Sequence, residues 1–172
     1  GNAARYTWQY LAAGYAAVWA TENTREAVFD ALLRRETYGT SGTRMTVRFF
    51  GGYDFTAEDA KSRYLAEAGY TKGVSMGGDL QPAKAGQAPT FLVAALKDPQ
   101  GANLDRIQII KGWLDASGTA QEKVYDVVWA GDRKPGKDGR LPPVGNTVDV
   151  ARATFTNAIG TAELAAVWKD PD

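Results

Sequence analysis

Cysteine and histidine are both missing from the 172 residues. Without cysteine there is no disulfide and no thiolate zinc site. Without histidine there is no Ser-His-Asp triad, no Cys-His pair and no zinc hydrolase of the usual ligand set. Any metal held by this chain alone is therefore held by oxygen. An excess of charge is missing too, since 20 basic residues balance 20 acidic ones. Counterion release then gives no reason to expect nucleic acid, and no polybasic run suggests a membrane surface. The longest apolar run, over 11–19, is far too short for a membrane span. A basic start followed by an apolar run is absent, so no signal peptide is legible, and Gly1-Asn2-Ala3 can be the remnant of a tag.

What is present is ordinary for a folded domain: 44% hydrophobic and 23% charged residues, enough for one core. The pattern along the chain divides it into a helical lead-in and a β-rich body. Asn23 followed by Glu26 three residues on reads as a capping box opening a helix through residue 35, with Val28, Ala31, Leu32 and Arg35 on one face. Residues 45–49 alternate as a strand. A helix is expected over 57–68, capped by Thr56 with Asp59 and ended by Gly69. Residues 72–88, broken by Pro82 and lacking periodicity, read as loop. Strands are then expected over 90–96, 106–113, 123–129, 148–155 and 163–168, separated by turn signals. The class is α+β, mainly β, with an antiparallel β-sandwich-like body.

The stretch RRETYGTSGTR, residues 34–44, invites reading as an anion loop. Phosphate-cradling loops lead into a helix N-terminus, whereas this one leaves a helix C-terminus, whose dipole repels anions. Gly39 and Gly42 are then turn residues permitting positive φ. A side-chain version survives, in which Thr40, Ser41, Thr43 and Arg44 offer hydroxyls and a guanidinium to a neighbouring centre. Asp98, Asn103 and Asp105 cluster oxygens around Gly101, a weak calcium candidate whose spacing is not that of an EF-hand; a plain inter-strand turn explains it as well. The run from Asp132 to Arg140 reads as an exposed hairpin tip, and without interleaved aromatics it is no nucleic-acid site. Trp113, Trp129 and Trp168 lie in apolar strands, where core packing or a partner interface explains them better than a sugar platform.

Residues 14–26, 38–50, 73–80 and 99–113 together resemble the C-terminal part of the bacterial proteins grouped as domain-of-unknown-function family 3604, over a match from Gly14 to Asp172. That family in turn resembles PHP-type metallohydrolases, whose N-terminal part is expected to form a distorted α/β barrel binding a metal cluster through histidines and carboxylates. None of those histidines exists here, so no metal ligand carries over, and a divalent metal is expected only in the parent barrel. The resemblance implies that residues 1–44 are a remnant of the barrel C-terminus with its last helix. Residues 45–172 are then the β-rich C-terminal domain. It further implies a missing N-terminal barrel as partner, a periplasmic or secreted location, and a further strand beyond Asp172. Its absence would leave a sheet edge open to homo-oligomers. Ser41 and Arg44 would then lie near the substrate of that barrel. The expected role is an accessory domain, non-catalytic in isolation, that braces the barrel, shapes substrate access or mediates assembly. The rivals are a glycan- or surface-ligand-binding module and, last, an autonomous hydrolase using carboxylates such as Asp79, Asp98 and Asp105.

Overall fold

The computed structural model describes residues 14–83 and 86–171. Strand outweighs helix, and every strand pairing is antiparallel, so the class is α+β, mainly β. A short hairpin comes first: β1 (Tyr15–Val18) pairs with β2 (Thr37–Thr40) around helix α1 (Arg25–Leu33). A four-stranded sheet follows in the order β4-β3-β5-β8, built from β3 (Thr46–Gly52), β4 (Gly73–Ser75), β5 (Thr90–Leu96) and β8 (Glu163–Lys169). Helices α2 (Ala57–Lys61) and α3 (Leu65–Lys72) lie between β3 and β4 in the chain. A long hairpin, β6 (Arg106–Leu114) with β7 (Ala120–Trp129), carries a register irregularity at Ile107/Gln108.

Alternation along the central strands decides what packs on each face of the sheet. Phe50, Leu92 and Val167 are cross-strand neighbours on one face. They meet Phe55, Ala60, Leu65 and Ala66 from the helical segment, and Phe50 and Leu92 are almost wholly buried. The opposite face carries a row of rings: Phe49 stacks on Phe91 at 5.4 Å, Phe91 meets Trp168 at 5.7 Å, and Trp168 meets Tyr125 of β7 at 4.8 Å. That row ties the long hairpin to the sheet, so the body has a helical layer on one side and a β layer on the other. At its ends the sheet presents β4 and β8 as edge strands.

Several expectations need correction. The helix expected over 57–68 is two helices, because Ser62 turns extended (ψ 136°) and ends α2. Gly69 does not end a helix but lies within α3, where a Cβ would overlap the Phe50 ring; the residue is small to admit the core, not to stop the helix. The Thr56–Asp59 cap is as expected, the Thr56 amide donating to Asp59 Oδ2 at 2.8 Å. In α1 the cap is Thr24, whose hydroxyl accepts from the Ala27 amide at 3.3 Å, in place of Asn23. Residues 72–88 contain β4, which pairs with β3. The strand expected over 148–155 is absent: only an isolated bridge joins Asp149 to Thr154, and Val148 and Val150 are exposed, with no neighbouring strand among the described residues to bury their alternation.

The division expected at residue 44 falls in the connection between β2 and β3. Bonds cross that connection, from the Trp19 indole to the Val47 carbonyl at 2.9 Å and from the Tyr38 hydroxyl to the Met45 carbonyl at 3.1 Å.

Candidate functional site

The stretch from Arg34 to Arg44 splits into three pieces with different roles. Helix α1 ends in a Schellman arrangement: the Arg35 amide donates to the Leu32 carbonyl and the Glu36 amide to the Ala31 carbonyl, both at 3.0 Å. Arg35 takes the left-handed position (φ 59°) that glycine usually fills. This reversal turns Glu36 inward, where it is 3% exposed. Thr37–Thr40 is strand β2, so Gly39 is a strand residue paired with Ala16 and not a turn glycine. Only Gly42 (φ 122°) does turn work. The turn satisfies itself, since the Thr40 hydroxyl donates to the Thr43 carbonyl at 2.6 Å.

Ser41 and Arg44 are exposed at that turn. The Arg44 amide donates to Asp98 Oδ2 at 2.7 Å and its guanidinium lies 5.9 Å from the Tyr15 ring centre. Asp98 thus meets Arg44, a pairing that sequence spacing did not suggest. The amides of Arg44 and then Gln100 hold the Asp98 carboxyl below its ordinary value. Asn103 gives its side-chain N–H groups to the carbonyls of Asn157 and Ile159. Asp105 faces Arg106 and Arg133, at 3.1 and 2.5 Å. The three side chains of the calcium candidate thus face different protein partners, Asp98 and Asp105 through their oxygens and Asn103 through its amide nitrogen. Among the described residues no group of three or more histidine, cysteine, aspartate or glutamate side chains is placed to hold a metal. Asp79 is an exposed partner of Arg35.

A constellation not anticipated from the sequence surrounds Glu36. Its carboxylate accepts from the Tyr70 hydroxyl and from Arg34 Nη2 at 3.4 Å, with Arg48 Nη1 3.5 Å away. Arg48 is held flat over the Trp19 ring, 3.3 Å from its centre, and donates to the Tyr70 hydroxyl at 2.8 Å. Arg34 also reaches the Trp19 carbonyl at 3.3 Å. Burial, and then the bond to Glu36, raises the Tyr70 phenol, so it stays protonated and donates. These side chains come from the segment after β1, the end of α1, strand β3 and helix α3. They border a cavity of about 340 Å³. The only sequence signal was the acid directly behind two arginines; that it is buried depends on the Schellman reversal and on Tyr70 arriving from α3.

The tryptophans form no platform among the described residues. Trp19 is covered by Arg48, Trp168 lies between Phe91 and Tyr125, and Trp129 donates to the Arg133 carbonyl. Trp113 is 38% exposed. Helix α1, in contrast, is apolar on two sides. Ala27 and Ala31 are buried, while Phe29, Leu32 and Leu33 are 58%, 51% and 66% exposed, with a shallow cavity between Val28, Phe29 and Leu32. The face expected to carry Val28, Ala31, Leu32 and Arg35 is therefore divided, with Ala31 buried and Leu32 and Arg35 exposed.

The architecture is that of a mainly β, histidine-free domain. Over residues 1–172 the chain matches the family model described as "Protein of unknown function (DUF3604)", and it belongs to that family. No curated protein and no solved structure matches it.

Proposed function

We propose that this chain is an accessory, non-catalytic module of a larger metal-dependent hydrolase, and that α1 docks it onto the catalytic barrel of the same protein. The observation that carries this reading is the exposed apolar side of α1. Phe29, Leu32 and Leu33 form an exposed apolar patch beside the charged Arg25, Glu26 and Asp30, and such a patch suits a partner, while the described residues cover only the Ala27/Ala31 side. The barrel is the occupant this reading commits to, because α1 would be the barrel's last helix if the PHP-type relationship holds. The PHP-type relationship, the divalent metal in the barrel and the periplasmic or secreted location belong to the same proposal. The covered indoles favour bracing over glycan binding, and the engaged Asp79, Asp98 and Asp105 weigh against an autonomous carboxylate enzyme. The open edge at β8 is where a further strand, or a second copy, would pair.

Two measurements test the reading. Replacing Phe29 and Leu33 by serine should leave the thermal midpoint of the 172-residue chain unchanged. In the longer protein the same change should loosen module from barrel, read as new protease sensitivity between them. Unchanged protease resistance there would reject docking through α1. Elemental analysis after exposure to manganese, zinc and calcium should find no retained manganese or zinc. Either metal held in stoichiometric amount would overturn the non-catalytic assignment.

A further inference from the structure

The cavity beside Glu36 has a charge imbalance. It is lined by Trp19, Thr21, Arg34, Glu36, Arg48 and Tyr70, together with Ala20. Two guanidiniums share it with one carboxylate. Glu22, the acid next to the Trp19–Thr21 part of the lining, accepts from the Thr24 hydroxyl at 3.2 Å. Glu36 takes one donor from Tyr70 and one nitrogen from each arginine, which leaves most of both guanidinium forks unspent. Arg34 Nε and Nη1, and Arg48 Nε and Nη2, make no bond to the described residues. Arg48 is pre-set by the Trp19 ring and the Tyr70 hydroxyl, so its orientation costs little on binding. At about 340 Å³ the space falls within the range of small-ligand sites.

We infer that this cavity binds a small oxyanion group, a carboxylate or a sulfate or phosphate monoester, between the spare donors of Arg34 and Arg48. A planar or tetrahedral oxyanion accepts two parallel N–H bonds from the Nε/Nη2 side of Arg48 and a single bond from Arg34, whose Nη2 is already spent on Glu36 and the Trp19 carbonyl, and its charge cancels the excess positive charge. The buried Glu36 has a positioning role: it anchors one nitrogen of each arginine and leaves the remainder facing the cavity. Tyr70, kept protonated, serves Glu36 and contributes a half-exposed ring to the wall. This inference stands on geometry apart from the docking of α1.

The test uses the 172-residue chain labelled with ¹⁵N and follows the Trp19 indole N–H, assigned through Trp19→Phe. Sodium acetate, sodium sulfate and methyl phosphate are each titrated, with sodium chloride holding ionic strength constant. A saturable shift of the Trp19 signal with one or more of these probes is expected, and the tightest identifies the oxyanion geometry. In Arg34→Gln the affinity should fall by about tenfold or more, the loss of a charge-assisted bond. Arg34→Lys, which keeps the charge without the fork, should fall in between. The Arg34 side chain is about half exposed, so both variants should keep the parent thermal midpoint. A shift that chloride reproduces, one that never saturates, or one that Arg34→Gln leaves intact would overturn the site.

Discussion

Two carboxylates in this protein are ringed by arginines, and the arginines are used differently in the two places. Around Asp105, Arg106 gives Nη1 to the Leu141 carbonyl at 2.8 Å and Nη2 to that of Pro142 at 2.9 Å. Arg133 donates to the carbonyls of Ala130, Pro142 and Asp105 at 3.0, 2.8 and 2.8 Å. Both guanidiniums are spent on backbone carbonyls outside the named strands, those of Leu141 and Pro142 in the loop and those of Asp105 and Ala130 at the hairpin base. This knot pins the loop over residues 131–143 against the base of the long hairpin, replacing the ladder bonds that the loop lacks. Around Glu36 each arginine spends little on protein, and a cavity borders the remainder. The same residue types thus make a closed fastening in one region and an open site in the other. The number of satisfied donors tells the two apart, and composition cannot.

The largest effect should come from breaking the closed knot. Arg133→Ala removes three carbonyl bonds and one of the two arginine partners of Asp105, and should cost about 3 kcal/mol in urea denaturation. A loss below about 0.5 kcal/mol, the surface range, would mean that the loop is not held there. Arg48→Ala should cost somewhat less, about 2 kcal/mol, because Tyr70 still serves the buried Glu36. That variant should also abolish any anion-dependent shift at Trp19, whereas Arg133→Ala should leave it in place.

Acid sharpens the comparison further. Burial of Asp105 opposes its ionisation, but Arg106 and Arg133 outweigh it and hold the carboxyl below the ordinary 3.8. A folded-state value below the unfolded one contributes stability that is complete above about pH 4 and is lost as pH falls through the folded value. Asp59, lowered mainly by its bond to Lys72 against the pull of burial, acts in the same direction. The thermal midpoint should therefore drop as pH falls below about 4, and Asp105→Asn should flatten that dependence at the cost of stability at neutral pH. Equal slopes in variant and parent would show that the Asp105 pair contributes nothing to acid lability. The smallest effect belongs to Arg34→Gln, within about 1 kcal/mol of the parent, because Arg34 is about half exposed and the buried Glu36 keeps Tyr70 and Arg48. A large loss there would make the Glu36 cluster a fastening like the other.

Much of the body is legible in the sequence. The run over 90–96 is β5 residue for residue, and the strands expected over 106–113, 123–129 and 163–168 are β6, β7 and β8 with small extensions. Those runs carry β-branched and aromatic residues between turn signals, a local property. The run over 148–155 has the same alternation but no partner strand among the described residues, and pairing is not local. The site around Glu36 is illegible for a related reason. Its members come from positions 19, 34, 36, 48 and 70, and only α3 landing beside the end of α1 brings Tyr70 to the carboxylate.

The sequence by itself determined the excluded chemistries, the mainly β class and the Thr56 cap of α2, since each depends on which residues are present or on neighbours a few positions apart. Tertiary structure alone decided that Gly69 lies under Phe50, that Asp98 accepts from the Arg44 amide, and that Glu36 is buried with arginine donors to spare. Burial and hydrogen-bond satisfaction are properties of side chains that meet across long stretches of chain, and no local pattern encodes which of them meet.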